Sequence, residues 1–229
     1  MSVRKAKVAQ PRKSPSQARS ASTLEAVLEA TIQILLTDGL ERLTTTRVAR
    51  RAGFAVGTVY QYYANKNELI YAIAHRHLDY VTSSVEKACH QLEHGALDDM
   101  VAGLVDAFVT AKYERASEVR ALYLGWSEID ARELIRDAFR RLERATADML
   151  ASTVELETVE LSTVAFMLTS TLVGATRSAF EQGASDSLMS ALRKQLVILC
   201  RAYVISVFDD TSRQDKQLED ISVGKVWAV

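Results

Sequence analysis

Apolar residues recur at intervals of three and four along most of the chain, and this spacing predicts α-helices. The first run starts near Ser22 or Thr23, either of which could cap a helix. It stops at Gly39, a residue suited to the left-handed position that ends many helices. Two short amphipathic runs follow at 45–52 and 56–63, with a glycine break between them.

A fourth run begins after Asn65, which could cap it, and continues to Gly95. Two prolines and nine glycines in 229 residues leave few turn signals, and the sequence has no convincing strand pattern and no internal repeat. These features predict an all-α fold. Five more amphipathic runs complete it, at about 97–116, 118–129, 131–153, 158–182 and 186–208.

The runs between residues 22 and 66 have the layout of a helix-turn-helix, in which a supporting helix precedes two short helices joined by a tight turn. The sequence therefore predicts a three-helix N-terminal domain over 22–66 and a larger helical bundle over 67–208. A basic segment, 1–21, precedes them and a C-terminal tail, 209–229, follows.

The last two runs, within about 158–208, are apolar around much of their circumference, with the small residues Gly174, Ala175 and Ser178 on one stripe. A helix that is apolar on more than one face must be buried on more than one face. One face suits the chain's own bundle and another suits a second copy, which predicts a homodimer through these two helices. A central position in a monomeric bundle is the alternative.

Charge is unevenly distributed, although the net value is only −1. Residues 1–76 carry 12 Lys and Arg against 5 Asp and Glu, whereas the rest of the chain carries 16 against 24. A basic section on an acidic body suggests a polyanionic partner for one end only. The first 20 residues hold six Lys and Arg and no acid, which indicates a disordered basic arm. Their composition also resembles a transit peptide.

Two further features bear on the compartment. Cys89 and Cys200 lie far apart and form no CxxC pair, so a disulfide framework is unsupported and a reducing cytoplasm is favoured. The longest uncharged run, residues 161–176, is shorter than the ~20 residues that a membrane span needs. We therefore expect a cytoplasmic protein without a membrane helix.

The segment 44–66 is rich in groups that bind phosphate and poor in groups that catalyse reactions. Gly57 would let the backbone approach a ligand closely, and Gln61 supplies an amide that can read adenine. A role in the core fits Val59 and Tyr63, but it explains poorly why three tyrosines occur among four residues. The potential phosphate donors are Thr45, Thr58, Tyr60, Tyr62 and Lys66.

The stretch TTTRVARRAGFAVGTVYQYYANKNELIYAI, residues 44–73, resembles the DNA-binding domain of TetR-type (tetracycline-repressor-like) transcriptional regulators. The rest of the chain resembles that family only in length and helicity. The matching positions are Thr45, Thr46, Val48, Ala49, Ala52, Gly53, Gly57, Thr58, Val59, Tyr60, Tyr62, Lys66 and Leu69.

The resemblance implies a role for each group of matching residues. Thr45, Thr58, Tyr60, Tyr62 and Lys66 would hold DNA phosphates. Thr46, Val56, Gly57 and Gln61 would face base edges. In such proteins the segment before the first helix can follow the DNA backbone or enter a minor groove, for which Arg12, Lys13 and Arg19 are the candidates; a solvated tail is the alternative.

Two positions depart from the family pattern. Ala55 stands where a Ser or Thr usually caps the recognition helix, so that cap is expected to be missing, at a cost of ~1 kcal/mol. Tyr63 replaces the usual Phe and brings an additional hydroxyl.

Other kinds of site are less well supported. The sequence has no GxSxG, HExxH or comparable catalytic pattern, so we expect no enzyme activity and no cofactor. His90 and His94 are four residues apart on a predicted helix, a spacing that could bind a metal, but no third ligand with fixed geometry is evident. An ordinary helix surface explains them better, and a metal-responsive regulator is the alternative.

The resemblance also implies an effector pocket in the larger domain. Aromatic residues and methionines could line a mostly apolar cavity there, although at helical spacing they also fit an ordinary core. Tyr123 and Trp126 are the leading candidates because each has a polar group that could orient a ligand. The candidates are Phe108, Tyr123, Trp126, Met149, Phe166 and Met167.

Together these features predict a homodimeric, sequence-specific DNA-binding regulator, a repressor rather than an activator. It would bind a pseudo-palindromic operator in double-stranded DNA and leave it when a small, largely apolar effector binds. A non-specific architectural DNA-binding protein is the alternative among DNA binders, and an enzyme built on a helical bundle is the rival from another class.

Overall fold

The computed structural model describes residues 18–153 and 161–224, with side chains described over 21–153 and 161–208. All secondary structure in these ranges is helical, which confirms the predicted all-α fold. The helices are α1 (Ala18–Asp38), α2 (Thr45–Ala52), α3 (Val56–Tyr62), α4 (Lys66–Leu92), α5 (Leu97–Glu114), α6 (Ala116–Gly125), α7 (Arg132–Ala151), α8 (Leu161–Glu181) and α9 (Asp186–Gly224). Two short 3-10 turns, Leu40–Arg42 and Trp126–Glu128, lie between them.

Several boundaries differ from those that the sequence predicts. The first helix begins at Ala18, four residues before Ser22, because the helical backbone continues through a stretch with no strong capping signal. Gly39 has a φ of 81° but a ψ of 170°, so its positive φ is as expected while its conformation is not the left-handed helical one. Helix α9 does not end at 208 but continues as one helix to Gly224.

The chain divides into two compact units, and their boundaries differ from the predicted 22–66 and 67–208. Unit 1 comprises the described residues up to Val81 together with Glu114–Ala138. Unit 2 comprises Thr82–Tyr113 and the described residues from Phe139 onward. The difference arises because α6 packs against α1, a contact between residues that are distant in the sequence.

The core of unit 1 is built from the apolar stripe of α1 and the inner faces of α2, α3 and α4. Ala121 and Leu122 of α6 belong to the same core, which explains why α6 joins this unit. The other fully buried contributors include Val27, Ile32, Leu35, Leu43, Val48, Ala49, Val59, Leu69, Ile70 and Ile73. At the C-terminal end of α6, a Cβ on Gly125 would lie 3.1 Å from a methyl carbon of Ile70, so glycine permits this close approach to α4.

Unit 2 has a core of its own. It includes Phe108 of α5, Met149 of α7, Leu168 of α8 and Leu196 of α9, each at most 3% exposed. The buried hydroxyls of Thr169 and Thr176 donate to carbonyl oxygens one turn earlier, at 2.6 and 2.7 Å, so these polar groups are satisfied within α8. Across the described residues, no helix combines the length and the apolarity needed to cross a bilayer.

Candidate nucleic-acid interface

Local hydrogen bonds cap both ends of helix α2. Thr44 is its N-cap, and its hydroxyl accepts a hydrogen bond from the backbone N–H of Arg47 at 3.2 Å. Gly53 follows the last residue with φ 76° and ψ 26°, the left-handed conformation that glycine adopts without strain. The N–H of Phe54 then bonds the carbonyl of Ala49 at 2.9 Å, which closes the turn. This turn directs the chain into α3 as the sequence predicts.

Helix α3 has one buried face and one exposed face. Val59 is fully buried and Tyr62 is 8% exposed, so both hold the helix to the core. Tyr60, by contrast, is 47% exposed and Val56 is 37% exposed. Gln61 and Gly57 are exposed as well. Helix α3 is therefore held to the core by one face and presents Tyr60 and Gln61 to solvent on the other, an arrangement that suits reading a DNA groove.

The candidates for base contact and those for phosphate contact differ in exposure. Thr46, Val56, Gly57 and Gln61, the four residues expected to face bases, are all exposed. Among the expected phosphate contacts, Tyr60 is exposed and Thr58 and Lys66 are half-buried. Thr45 and Tyr62 are 6% and 8% exposed, so their contact with phosphate stays a prediction.

The three tyrosines of this segment have different environments. Only Tyr60 is exposed, whereas Tyr62 and Tyr63 belong to the core of unit 1. Burial raises the pKa of the Tyr63 hydroxyl to about 12. For Tyr63 the structure supports the core role that the sequence allowed.

The start of α4 lies beside this face. The Asn65 side chain accepts the N–H of Glu68 at 3.0 Å and so caps the helix, as predicted, while Glu68 accepts the N–H of Ala64 at 2.7 Å. Lys66 does not extend freely into solvent: its Nζ lies 3.0 Å from Oε2 of Glu128, in the turn after α6. Sequence reasoning missed this partner because the two residues are far apart in the chain.

Arginines on the outer face of α2 form a basic surface that was also missed. Arg47 donates to Asp38 at the end of α1, with 2.9 Å between Nη2 and Oδ2, and Arg51 lies 3.8 Å from the same oxygen. The side chain of Arg50 has no ion pair or hydrogen bond with any described residue, and the residue is exposed. The pair of adjacent arginines in the motif was the available signal.

The predicted arm is only partly within the described residues. Arg12 and Lys13 lie outside them. Arg19 lies in the first turn of α1, so it belongs to a helix rather than to an extended arm.

The six candidates for an effector pocket are not brought together as a set. Tyr123 and Trp126 belong to unit 1, where Trp126 packs against the core that supports α3. The other four belong to unit 2. Two of these are fully buried, whereas Phe166 and Met167 are 51% and 43% exposed on α8.

A lysine that sequence reasoning did not single out lies among the apolar residues of α5. Lys112 is half-buried and follows the buried Phe108 by four residues, with its Nζ 5.7 Å from the ring centre. It has no ion pair with any described residue, and burial, reinforced by the nearby charge of Arg177, lowers its pKa to about 8. Its position four residues after a core phenylalanine was the sequence signal.

The histidines expected to be an ordinary helix surface have ordinary partners. His90 Nδ1 lies 3.1 Å from Glu93, and His94 Nδ1 lies 2.9 Å from the carbonyl oxygen of Ser152. No three His, Cys, Asp or Glu side chains within the described residues are arranged to hold a metal ion. The metal-responsive alternative gains no support.

Comparison with known families addresses both parts of the chain. Residues 27–73 match the model of bacterial regulatory proteins of the tetR family, and residues 96–203 match that of the tetracyclin repressor-like C-terminal domain. The chain belongs to the TetR family. The match over residues 27–73 includes the helix-turn-helix described above, and the match over residues 96–203 includes most of α5 to α9.

Individual relatives agree with this assignment. An uncharacterized HTH-type transcriptional regulator of Haemophilus influenzae is 35% identical over 63 residues, which are 28% of this chain and 34% of that protein. The regulator YvdT of Bacillus subtilis is 33% identical over 66 residues, which are 29% of this chain and 34% of that protein. The matched part thus spans about a third of the length of these curated relatives.

Solved structures extend the likeness to the fold of most of the chain. The TetR-family regulator PfmR of Thermus thermophilus has a TM-score of 0.60 at 17% identity, covering 76% of this chain and 97% of that one. The SmeT–triclosan complex has a TM-score of 0.57 at 21% identity, covering 80% of this chain and 91% of that one. At these identities the likeness concerns the fold alone.

Proposed function

We propose that this TetR-family chain is a sequence-specific DNA-binding transcriptional regulator that acts as a repressor. The observation that carries the proposal is the exposed face of α3, with Tyr60 and Gln61 at its centre, on a helix whose opposite face is fixed in a core. In this motif the second helix enters the major groove while neighbouring groups hold phosphates. No described residue of that face has the partners of an acid–base or nucleophilic pair, and the family is one of regulators.

The partner of one protomer is a second copy, bound through α8 and α9. These two helices pack against each other, yet they expose several large apolar side chains. Ile198 and Leu199 are 61% and 54% exposed. Ile205, about two turns further along α9, is 47% exposed. Phe166 and Met167 on α8 are exposed as well, so a monomer would leave all these large apolar side chains in water. Two copies would then place two α3 helices on successive half-sites, ~34–36 Å apart.

The effector is a small, largely apolar molecule that binds within unit 2 and lowers the affinity for DNA. SmeT, whose fold is similar, has been solved as a complex with triclosan. An effector can act only through different affinities for the DNA-binding and released states. Compounds that carry a carboxylate belong in the search, because Lys112 lacks an anionic partner among the described residues.

Selection of bound duplexes from a random pool tests the DNA-binding proposal. The full chain is compared with a Tyr60→Ala/Lys66→Ala variant and with Tyr123→Ala, which removes an exposed tyrosine on α6. We expect an inverted-repeat motif for the native chain and for Tyr123→Ala, preferred over random duplex by at least ~10³, and none for the double variant. Enrichment without any motif would instead favour an architectural DNA-binding protein.

A second experiment tests the effector. Candidate compounds that raise the melting temperature of the full chain are titrated against the complex with the selected duplex. A compound that binds at saturation and leaves DNA affinity unchanged contradicts its role as effector. Release at saturating compound supports it.

A further inference from the structure

The end of α1 and the outer face of α2 enclose a small cleft in which arginines outnumber acids. The cleft has a volume of about 130 Å³ and is lined by Ile34, Asp38, Arg47, Arg50 and Arg51. Three guanidinium groups face a single carboxylate, so the cleft retains net positive charge. It lies outside the residues that the family resemblance assigns to DNA.

Two of the three arginines are held in position. Arg47 bonds Asp38 at 2.9 Å, and Nη1 of Arg51 donates to the Thr37 hydroxyl at 3.2 Å. The hydrogen bond from Thr37, together with the charges of Arg51 and Arg47, keeps the pKa of Asp38 below its usual range, so this carboxylate stays ionised. Each guanidinium has five N–H donors, and these contacts use only a few of them. Because the side chains are already ordered, a ligand would lose less entropy in ordering them.

The third arginine is available for a ligand. Arg50 lines the cleft and is exposed, and its side chain has no hydrogen bond or ion pair within the described part of the chain. It follows Thr46 by four residues on α2, so both lie on one stripe of the helix, with their Cβ atoms about 6 Å apart. Thr46 is expected to face DNA bases, which places Arg50 one turn further along the same side.

We propose that this cleft is a phosphate-binding site, built by Arg47, Arg50 and Arg51 and ordered by Asp38. Guanidinium groups match the geometry of phosphate oxygens and remain charged at every physiological pH. Resting on the proposed function, the site takes a phosphate of the DNA backbone next to the half-site, which adds a contact that the family pattern does not contain. A free phosphorylated molecule has the same chemistry and is the second source to be tested.

The first arm of the test uses the full chain and the duplex obtained by selection. Binding is measured between 50 and 200 mM KCl for the native chain, Arg50→Gln, Arg50→Gln/Arg51→Gln, and the control Arg136→Gln, an exposed arginine on α7. Each lost phosphate contact should reduce the slope of log affinity against log salt by ~0.9. For Arg50→Gln, the ratio of native to variant affinity should therefore fall about threefold across this range. For binding to a random duplex, the salt slope should fall by the same amount, since phosphate contacts carry no sequence information.

The second arm omits DNA and uses inorganic phosphate as the probe. The melting temperature of the full chain is compared in phosphate and in chloride of equal ionic strength. Stabilisation by phosphate that Arg50→Gln abolishes assigns the site to a free phosphate compound. A loss of salt slope without such stabilisation assigns it to the DNA backbone.

The proposal is overturned if Arg50→Gln and the double variant match Arg136→Gln in both arms. Far-ultraviolet circular dichroism of each variant checks that α2 is intact, and Arg50→Gln removes no side-chain hydrogen bond or ion pair made within the described residues. Failure of the proposed function has a different signature, because the native chain would then select no duplex at all, while the phosphate arm would still report on the cleft.

Discussion

Ala55 occupies the N-cap of α3 with φ −65° and ψ 144°, a backbone conformation that suits a capping residue. Its methyl group cannot accept a hydrogen bond, and no side chain caps α3, as the sequence predicts. The N–H of Thr58 bonds the carbonyl of Ala55 at 2.9 Å, but no capping side chain accepts a hydrogen bond from the first N–H groups of this helix.

We expect Ala55→Ser to stabilise the protein by about 1 kcal/mol, because a serine hydroxyl can accept one of these N–H groups. For a chain of this size the change corresponds to ~2–4 °C in Tm. Calorimetry of the variant and of Ala191→Ser, an exposed alanine within α9, provides the measurement and the control. A Tm at or below the native value for Ala55→Ser would show that this end of α3 gains nothing from a cap.

The pair formed by Lys66 and Glu128 has a consequence for DNA binding. Both side chains are about one-third exposed, so the pair is weak, on the order of 0.2–1 kcal/mol. In the proposed DNA complex, Glu128 and a DNA phosphate would both be acceptors for the Lys66 ammonium. The contact with Glu128 would therefore compete with the operator.

Glu128→Gln should raise operator affinity by ~1.5–5-fold, the factor that corresponds to this energy, and should steepen the salt slope by at most ~0.9. In a Lys66→Gln background the same substitution should have no effect. Fluorescence anisotropy on all four proteins closes this double-mutant cycle. A decrease in affinity on Glu128→Gln would mean instead that Glu128 orients Lys66 toward the phosphate.

At the scale of helices, a partly buried charge cluster joins three of them. Arg76 on α4 contacts Glu25 and Glu29 on α1 at 2.7 and 2.9 Å, and Glu118 on α6 at 2.6 Å. The Glu118 side chain is only 3% exposed and also lies 3.4 Å from His77. Burial would raise the pKa of Glu118, but the hydrogen bond from His77 and the charges of the two adjacent arginines, Arg76 and Arg115, keep it below its usual value.

The lowered pKa gives a pH dependence of defined sign. The ionised Glu118 stabilises the folded state fully above the unfolded pKa, near 4.3, and this contribution is lost as pH falls through the folded pKa. We expect Glu118→Gln to destabilise unit 1 by roughly 1–3 kcal/mol at pH 7, with a smaller difference from the native chain at pH 4.

Urea unfolding followed by the fluorescence of Trp126 measures this effect, in a Trp227→Phe background that leaves one tryptophan. Glu133→Gln, which neutralises an exposed acid on α7, is the matched control. A difference that stays constant between pH 7 and pH 4 would argue that Glu118 acts through packing rather than through its charge.

At the scale of the whole molecule, the apolar surface of α8 and α9 predicts the oligomeric state. Ile198→Glu/Leu199→Glu should raise the dimer dissociation constant at least about 100-fold, because each protomer would bring two charges into an apolar interface. The affinity for the operator should fall as the dimer dissociates, because a monomer can contact only one half-site.

Sedimentation velocity over a concentration series provides the measurement. Leu36→Glu, at a 40% exposed leucine of α1, is the control for adding a charge to an exposed apolar position. A double variant that sediments as the native dimer would place the interface elsewhere.

Several elements could be read from the sequence because their causes are local. Gly53 ends α2 and Asn65 caps α4, while the apolar residues Val48 and Val59 mark the buried faces of α2 and α3. These signals can be read because caps and helical periodicity act within a few residues. The start of α1 and the end of α9 could not be read in this way, because no strong stop signal marks either end.

The sequence by itself determined the all-α class and the helix-turn-helix, because a 3.6-residue period and a specific motif encode them. Only the tertiary structure decided which partners distant residues acquire. It assigned α6 to unit 1, paired Lys66 with Glu128, buried Tyr62, and gathered Arg47, Arg50 and Arg51 beside Asp38. These contacts depend on how helices pack, and packing joins side chains whose separation along the chain carries no periodic signal.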